Sequence, residues 1–244
     1  MAGWPAGTGR RIYPVLDSTM AEAQRLKDAA VGPVWLLALE QNAARGRRGR
    51  AWVQPTGNFS ATYLFRPGGT LEARALRSFV AALALRDALA AATGRHDNLS
   101  LKWPNDVLLQ GGKVAGILLE SLGEHLALGI GVNLVAAPPP DAVEPGATRP
   151  VSLLAATGAR IAPEDFLDLL AAAFARREAE FTTYGFAPIR NAWLAGAARL
   201  GTEITARTGN SAITGIFETV DEQGCLVLKA SDGRHRIAAA DVFF

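Results

Sequence analysis

Residues 99–135 read LSLKWPNDVLLQGGKVAGILLESLGEHLALGIGVNLV, and this stretch decides the fold class. Leu99–Trp103 has strand composition and is closed by Pro104, which has no N–H to give to a ladder. Val107–Leu109, the Gly111-Gly112 turn and Val114–Leu119 form a hairpin pattern, and His125–Val135 reads as a further strand broken by glycines. Before this block, Thr70–Ala92 is the clearest helix: Leu71, Ala75, Phe79 and Leu83 recur at i, i+4 between an N-cap, Thr70, and a stop, Gly94. Earlier still come strands at Arg11–Leu16, Val34–Leu39 and Asn58–Phe65. A helix starts near Ser18-Thr19 and runs to about Ala30, with Thr19–Glu22 as a capping box. After the block, Pro138–Pro150 is a proline-rich surface loop, Pro163–Tyr184 a second long helix, and Ile189–Leu200 a shorter one. Beyond Gly201 the texture changes to short strands, Glu203–Arg207, Ala212–Val220, Cys225–Lys229 and Arg234–Ile237, separated by turn residues. The expected architecture is α/β (α+β): a mixed β-sheet with flanking helices over 1–198, and a small C-terminal β-barrel over 199–244.

Composition excludes several classes. Hydrophobic residues make up 49% and charged residues 20% of the 244, so the chain is neither mostly disordered nor in need of staples. Cys225 is the one cysteine, which rules out an intramolecular disulfide and suits a reducing, cytoplasmic compartment. His96, His125 and His235 lie far apart and show no zinc spacing. A net charge of +2 is too balanced for nucleic-acid binding by bulk charge. The longest apolar run, Phe79–Leu85, sits between Arg77 and Arg86 and is far short of the roughly 20 residues that span a bilayer. Arg10 and Arg11 are followed by no apolar run, so no secretory signal is expected.

Four segments carry candidate chemistry. Residues 45–52, RGRRGRAW, place Arg45, Arg47, Arg48 and Arg50 around Gly46 and Gly49, with Trp52 at the end. Guanidinium groups bind phosphate or carboxylate bidentately, and glycine lets a backbone approach an anion. A solvated basic loop or an arginine–glycine nucleic-acid segment is the plainer reading. Lys102-Trp103-Pro104-Asn105-Asp106 puts a lysine where a strand meets a turn, able to neutralise an oxyanion, or simply an edge-strand residue before a turn. Lys113–Glu120 and Gly129-Ile130-Gly131-Val132-Asn133 read as core strands, but Gly116, Gly129, Gly131 and Asn133 together mark bulges or a close approach of something to the backbone. Ser18-Thr19, with Gln41 after the next strand, opens a helix whose free N–H groups serve a cap or a polar ligand.

In this order the segments resemble the biotin protein ligases. That family has a Ser-Thr near its first helix, a Gly-Arg-Gly-Arg-x-Gly-Arg-x-Trp loop, a Lys-Trp-Pro-Asn-Asp turn, a Lys-x-x-Gly-Ile-Leu strand and a Gly-x-Gly-x-Asn strand. Here they stand as Ser18-Thr19, Arg45–Trp52, Lys102–Asp106, Lys113–Leu118 and Gly129–Asn133. Two positions depart: Met20 replaces an asparagine and Ala44 a glycine. Met20 removes one hydrogen bond to biotin, and Ala44 restricts φ > 0.

The resemblance implies a monofunctional ligase that joins biotin to ATP as biotinyl-5′-AMP, then passes the biotinyl group to a lysine of a biotin carboxyl carrier protein. Lys102, Arg47 and Arg45 are the catalytic candidates it implies. Ser18, Thr19, Met20, Gln41, Arg45, Gly46, Arg47, Lys102 and Gly116 would bind biotin. Arg47, Arg50, Trp52, Asn105, Lys113 and Asn133 would bind ATP or the adenylate, with Asp106 beside Asn105 positioning phosphate or Mg²⁺. Magnesium is expected with ATP, at no dedicated protein site. The 17 residues before Ser18 are too few for the winged-helix domain of some members, so no DNA binding is expected by that route, and no membrane association. A homodimer through a sheet edge is allowed. The rivals are a lipoate ligase of the same fold, a nucleic-acid-binding protein, and a degenerate ligase that binds biotin without adenylating it.

Overall fold

A computed structural model describes residues 3–50, 52, 55–139, 143, 146–208 and 211–244. Ala51 of the arginine loop, and residues 140–142, 144 and 145 of the proline-rich segment, lie outside them. The elements are β1 (Gly9–Leu16), α1 (Thr19–Leu26), β2 (Val34–Gln41), β3 (Phe59–Phe65), α2 (Leu71–Ala75), α3 (Arg77–Thr93), β4 (Leu99–Lys102), β5 (Asp106–Leu109), β6 (Gly112–Leu122), β7 (His125–Val132), α4 (Leu153–Thr157), α5 (Pro163–Tyr184), α6 (Phe186–Ala195), β8 (Glu203–Thr208), β9 (Ser211–Val220), β10 (Leu226–Ala230), β11 (Gly233–Ile237) and β12 (Asp241–Phe243).

Seven strands form one sheet in the order β1-β2-β3-β7-β6-β5-β4. β1 and β2 are parallel and the remaining neighbours antiparallel, so the sheet is mixed as expected. Its middle strands read as continuous apolar runs because both faces are covered. Trp35, Leu37, Tyr63 and Leu128 face the side on which α3, α5 and α6 lie. Leu36, Leu64 and Ala127 alternate with them and meet Met20 and Ala23 of α1 on the other face. α3 is apolar all round, since α5, α6 and the sheet enclose it. The C-terminal strands form a separate antiparallel sheet in the order β11-β10-β9-β8-β12. Gly224, at φ 79°, brings that sheet against α3, where a Cβ would stand 2.9 Å from both Leu76 and Phe79. Trp103 Nε1 donates to the Gly224 carbonyl at 3.0 Å, a second tie between the sheets.

Local readings needed correction in several places. The helix from Thr70 is two helices, α2 and α3, meeting at Leu76; Thr70 caps the first and Gly94, at φ 66°, ends the second. The N-cap of α1 is Ser18, not Thr19, so the Thr19–Glu22 box does not form. Glu22 instead accepts from Tyr13 Oη and pairs with Arg25. α1 also stops at Leu26, short of Ala30. α6 starts right after Gly185 and ends at Ala195, because Gly185 at φ 75° breaks the chain between α5 and α6. α4 and β12, too short for periodicity to show, were not expected.

Phe166 is fully buried on α5, with its ring edge-on to Phe59 at 5.0 Å. Phe166→Ala is expected to lower unfolding free energy by about 3–5 kcal/mol, measured by urea denaturation.

Candidate active site

The sheet carries a cavity of about 470 Å³ on its α1 side, and all fourteen residues assigned above to biotin or ATP line it. Strands β6 and β7, with Ser60 of β3, line its floor. In the β6–β7 ladder Gly116 lies opposite Gly131, and Leu118 opposite Gly129. A Cβ on Gly131 would stand 2.5 Å from the Trp52 indole, and one on Gly129 2.8 Å from Met20 Sδ. The glycines are therefore needed to seat the Trp52 ring and the Met20 thioether on the sheet.

At one end sits a polar group around the start of α1. The Thr19 N–H donates to Gln41 Oε1 at 2.6 Å, Thr62 Oγ1 donates to Thr19 Oγ1 at 2.8 Å, and Ser18 Oγ accepts from the Met20 N–H at 3.2 Å. Ser18 thus serves as a helix cap as well as a lining residue. Ser60 Oγ also lines this cavity, is buried and has no hydrogen-bond partner among the described residues. Sequence reading missed it, because a serine inside a strand carries no signal until the strand's facing side is known. Ala44 has no positive φ, so its methyl strains nothing; its carbonyl accepts from the Trp52 N–H at 3.0 Å.

The arginine segment is a tight turn. Arg48 (φ 57°) and Gly49 (φ 73°) are both left-handed, and the Gly46 N–H reaches the Arg50 carbonyl at 2.8 Å. Arg47 Nη1 donates to Asn105 Oδ1 at 3.3 Å, and Asn105 Nδ2 donates to the Ile117 carbonyl at 2.6 Å. Asp241 of β12 accepts from Arg48 at 2.8 Å and Arg50 at 2.9 Å. No sequence feature linked Asp241 to this loop, since the pairing exists only once the C-terminal sheet docks. Lys113 Nζ pairs with Asp106 at 2.7 Å. Asn133, buried, gives its side-chain amide N–H to the Val151 carbonyl at 3.1 Å, tying down the strap after the proline-rich loop.

Lys102 is the most enclosed cation of the site at 7% exposure. Its Nζ donates to Thr148 Oγ1 at 2.6 Å and faces the Phe244 ring at 4.6 Å. Burial pulls its pKa below the usual lysine range; nearby Asp106 opposes this and Lys113 adds to it. Burial likewise lowers Arg47, against the Asp241 and Asp106 carboxylates. Burial alone would raise Asp241, but the Arg50 hydrogen bond and the charges of Arg50, Arg48 and Arg47 outweigh it and hold the carboxyl low. Among the described lining residues, Arg45, Arg47, Arg50, Lys102 and Lys113 face only Asp106 and Asp241. The surplus positive charge suits a polyanion.

The model of the biotin/lipoate A/B protein ligase family matches residues 12–134, and that of the biotin protein ligase C-terminal domain matches residues 200–244. The chain belongs to the biotin/lipoate A/B protein ligase family. It is 60% identical to a biotin–[acetyl-CoA-carboxylase] ligase of Paracoccus denitrificans, over 93% of this chain and 97% of that protein. Identity to the enzyme of that name from Mycobacterium tuberculosis is 33%, over 97% and 90% of the two chains. The biotin protein ligase of Aquifex aeolicus, solved with biotin and ATP, superposes with a TM-score of 0.83 at 26% identity, covering 96% of this chain and 98% of that one. Among the described residues no helix is long and apolar enough to cross a membrane.

Lys102, with its folded pKa below the unfolded one, costs stability while it is protonated. That cost is full below the folded pKa and is relieved as pH rises toward the unfolded value. Lys102→Met is therefore expected to raise the Tm of the ligand-free protein at pH 7 by about 2–4 °C, the shift that ~1 kcal/mol gives at this size. A calorimetric scan checks it, and the gain should shrink at alkaline pH.

Proposed function

We propose that the chain activates biotin with ATP as biotinyl-5′-AMP and transfers the biotinyl group to one lysine of a biotin carboxyl carrier protein, of acetyl-CoA carboxylase or a related carboxylase. The observation that carries this reading is the buried, carboxylate-poor ammonium of Lys102, which shares a cavity of about 470 Å³ with the arginine turn and the polar start of α1.

In the first step a biotin carboxylate oxygen attacks the α-phosphorus of ATP, and the bond to pyrophosphate breaks. Both reactants are anions, so their approach is uphill unless cations sit on both. Lys102 holds the carboxylate and balances charge at the α-phosphoryl oxygens. Arg45 and Arg47 extend that field from the turn, Arg50 and Lys113 reach the phosphate side, and Gly46 and Gly116 let the backbone approach. Ser18, Thr19, Met20 and Gln41 surround the ureido end, where Met20 offers packing in place of a hydrogen bond. Trp52 and Asn133 flank the nucleotide, and Asn105 keeps Arg47 aimed inward. In the second step the acceptor amine attacks the biotinyl carbonyl, the mixed anhydride breaks and AMP leaves. The turn over the cavity shields the anhydride from water.

Magnesium enters this reading as part of the MgATP substrate. Among the described residues no three His, Cys, Asp or Glu side chains cluster to hold a cation, and Asp106 and Asp241 are already paired with Lys113, Arg48 and Arg50. No step is assigned to a protein-held metal. The same reading divides the chain into a catalytic unit, 1–198, and a C-terminal unit, 199–244, in the cytoplasm. It allows a homodimer through the open edge at β1, where Ile12 and Val15 are exposed.

ATP–pyrophosphate exchange with Mg²⁺ tests the reading. Exchange is expected with biotin and not with lipoate or without an acid, and Lys102→Ala should lower it at least about 10³-fold, as loss of a charge-stabilising group does. Exchange with lipoate alone would replace biotin as the substrate. Arg47→Gly is expected to release preformed biotinyl-5′-AMP about tenfold faster than the unaltered protein, followed by filter binding, since one charge-assisted contact is lost.

A further inference from the structure

The arginine turn has no core of its own. None of Arg47, Arg48 and Gly49 is buried, and the backbone bonds within the turn include Gly46 N–H to Arg50 O, Arg50 N–H to Arg47 O and Trp52 N–H to Ala44 O. Such a turn needs outside contacts to hold one position over a cavity. β12 supplies them from the other end of the chain. Asp241 Oδ2 accepts from Arg48 Nη1 at 2.8 Å and Arg50 Nη2 at 2.9 Å, while its Oδ1 lies 3.9 Å from Arg47 Nη1. The neighbouring Ala240 carbonyl accepts from Arg47 at 3.4 Å and 3.5 Å. β12 is in turn fixed by its ladder to β8, where Asp241 faces Arg207.

An ion pair in open water would add little. The Asp241 carboxyl, however, is only 15% exposed and meets converging guanidinium groups, so solvent screens it less. Arg48 is not among the residues that line the cavity, whereas Arg47 and Arg50 are. Arg48 therefore acts as a tether alone, Arg50 both lines the cavity and holds Asp241, and Arg47 makes its shorter side-chain contacts with Asn105 and the Ala240 carbonyl.

We propose that Asp241 is a positioning residue: through Arg48 and Arg50 it fastens the arginine turn to the C-terminal sheet, so that Arg47 is presented to the bound adenylate. The role rests on the activity proposed above. Asp241 touches no reacting atom; it acts through the turn. This gives the C-terminal sheet a part in retaining the intermediate. The opposite arrangement, in which Asp241 is a stand-in anion that the phosphate displaces, predicts effects of the opposite sign.

The test uses the full chain and three variants, Asp241→Asn, Arg48→Ala and the double variant. Two quantities are read: the release rate of biotinyl-5′-AMP from its complex, and the rate at which trypsin nicks residues 47–50 in ligand-free protein. Each single variant is expected to release the adenylate about tenfold faster, and the double variant no faster than either single one, as partners in one contact behave. Trypsin nicking after Arg47 and Arg50, sites that all three variants keep, should rise about tenfold, because the turn opens more often. Unchanged or slower release, or additive effects, overturns the proposal. If the unaltered chain forms no biotinyl-5′-AMP, the activity is wrong, and nicking alone then decides the anchor: equal rates in Asp241→Asn and the unaltered protein overturn it. Should Asp241→Asn fail to fold, Arg48→Ala reads the same contact from an exposed side chain.

Discussion

Like charges held close together in a half-enclosed space repel, and that repulsion sets the terms for the rest of the molecule. Among the described residues, Arg45, Arg47, Arg50, Lys102 and Lys113 line one cavity with two carboxylates. No local segment would hold such a set together. Lys102 comes from the end of β4, Lys113 from β6, and the arginines from a turn after β2. The apolar contacts on the two faces of the seven-stranded sheet hold these elements in place. Each cation is restrained in its own way: Lys113 by Asp106, Lys102 by the Thr148 hydroxyl and the Phe244 ring, and the turn by Asp241.

A second constraint is space. The sheet that carries the cavity must also seat a Trp52 indole and a Met20 side chain directly on its surface. Only a strand without side chains at Gly129 and Gly131 leaves that room. The Met20 sulfur contributes packing that adapts to shape. At that end the Thr19 N–H is held by Gln41, and the Ser60 hydroxyl has no hydrogen-bond partner among the described residues.

The C-terminal sheet is packed as part of the same body. Gly224 lies flush against Leu76 and Phe79, its carbonyl takes the Trp103 N–H, and Arg190 Nε donates to the Val220 carbonyl at 2.5 Å. These contacts place β12 beside the arginine turn, where a carboxylate near the end of the chain meets guanidinium groups almost two hundred residues away in sequence.

Much of this was legible in the residues. Apolar runs marked the strands, α5 showed its bounds, Gly94 marked the end of α3, and all fourteen assigned site residues line one cavity. Those signals are local: alternation, capping and turn chemistry act within a few residues, so they survive in the linear chain. The α1 cap went to Ser18 because its hydroxyl reaches the Met20 N–H, while Gln41, distant in sequence, took the Thr19 N–H that a local box ignores. β12, Ser60 and Asp241 were invisible for the same reason. A three-residue strand has no period, a serine in a strand does not show which face it takes, and an aspartate shows no partner until another element arrives. Sequence alone determined which residues could do the chemistry, because that depends on side-chain type and short spacing. Only the tertiary structure decided which were buried, paired or left facing the cavity, because burial and Coulomb interaction depend on distance in space and not on distance along the chain.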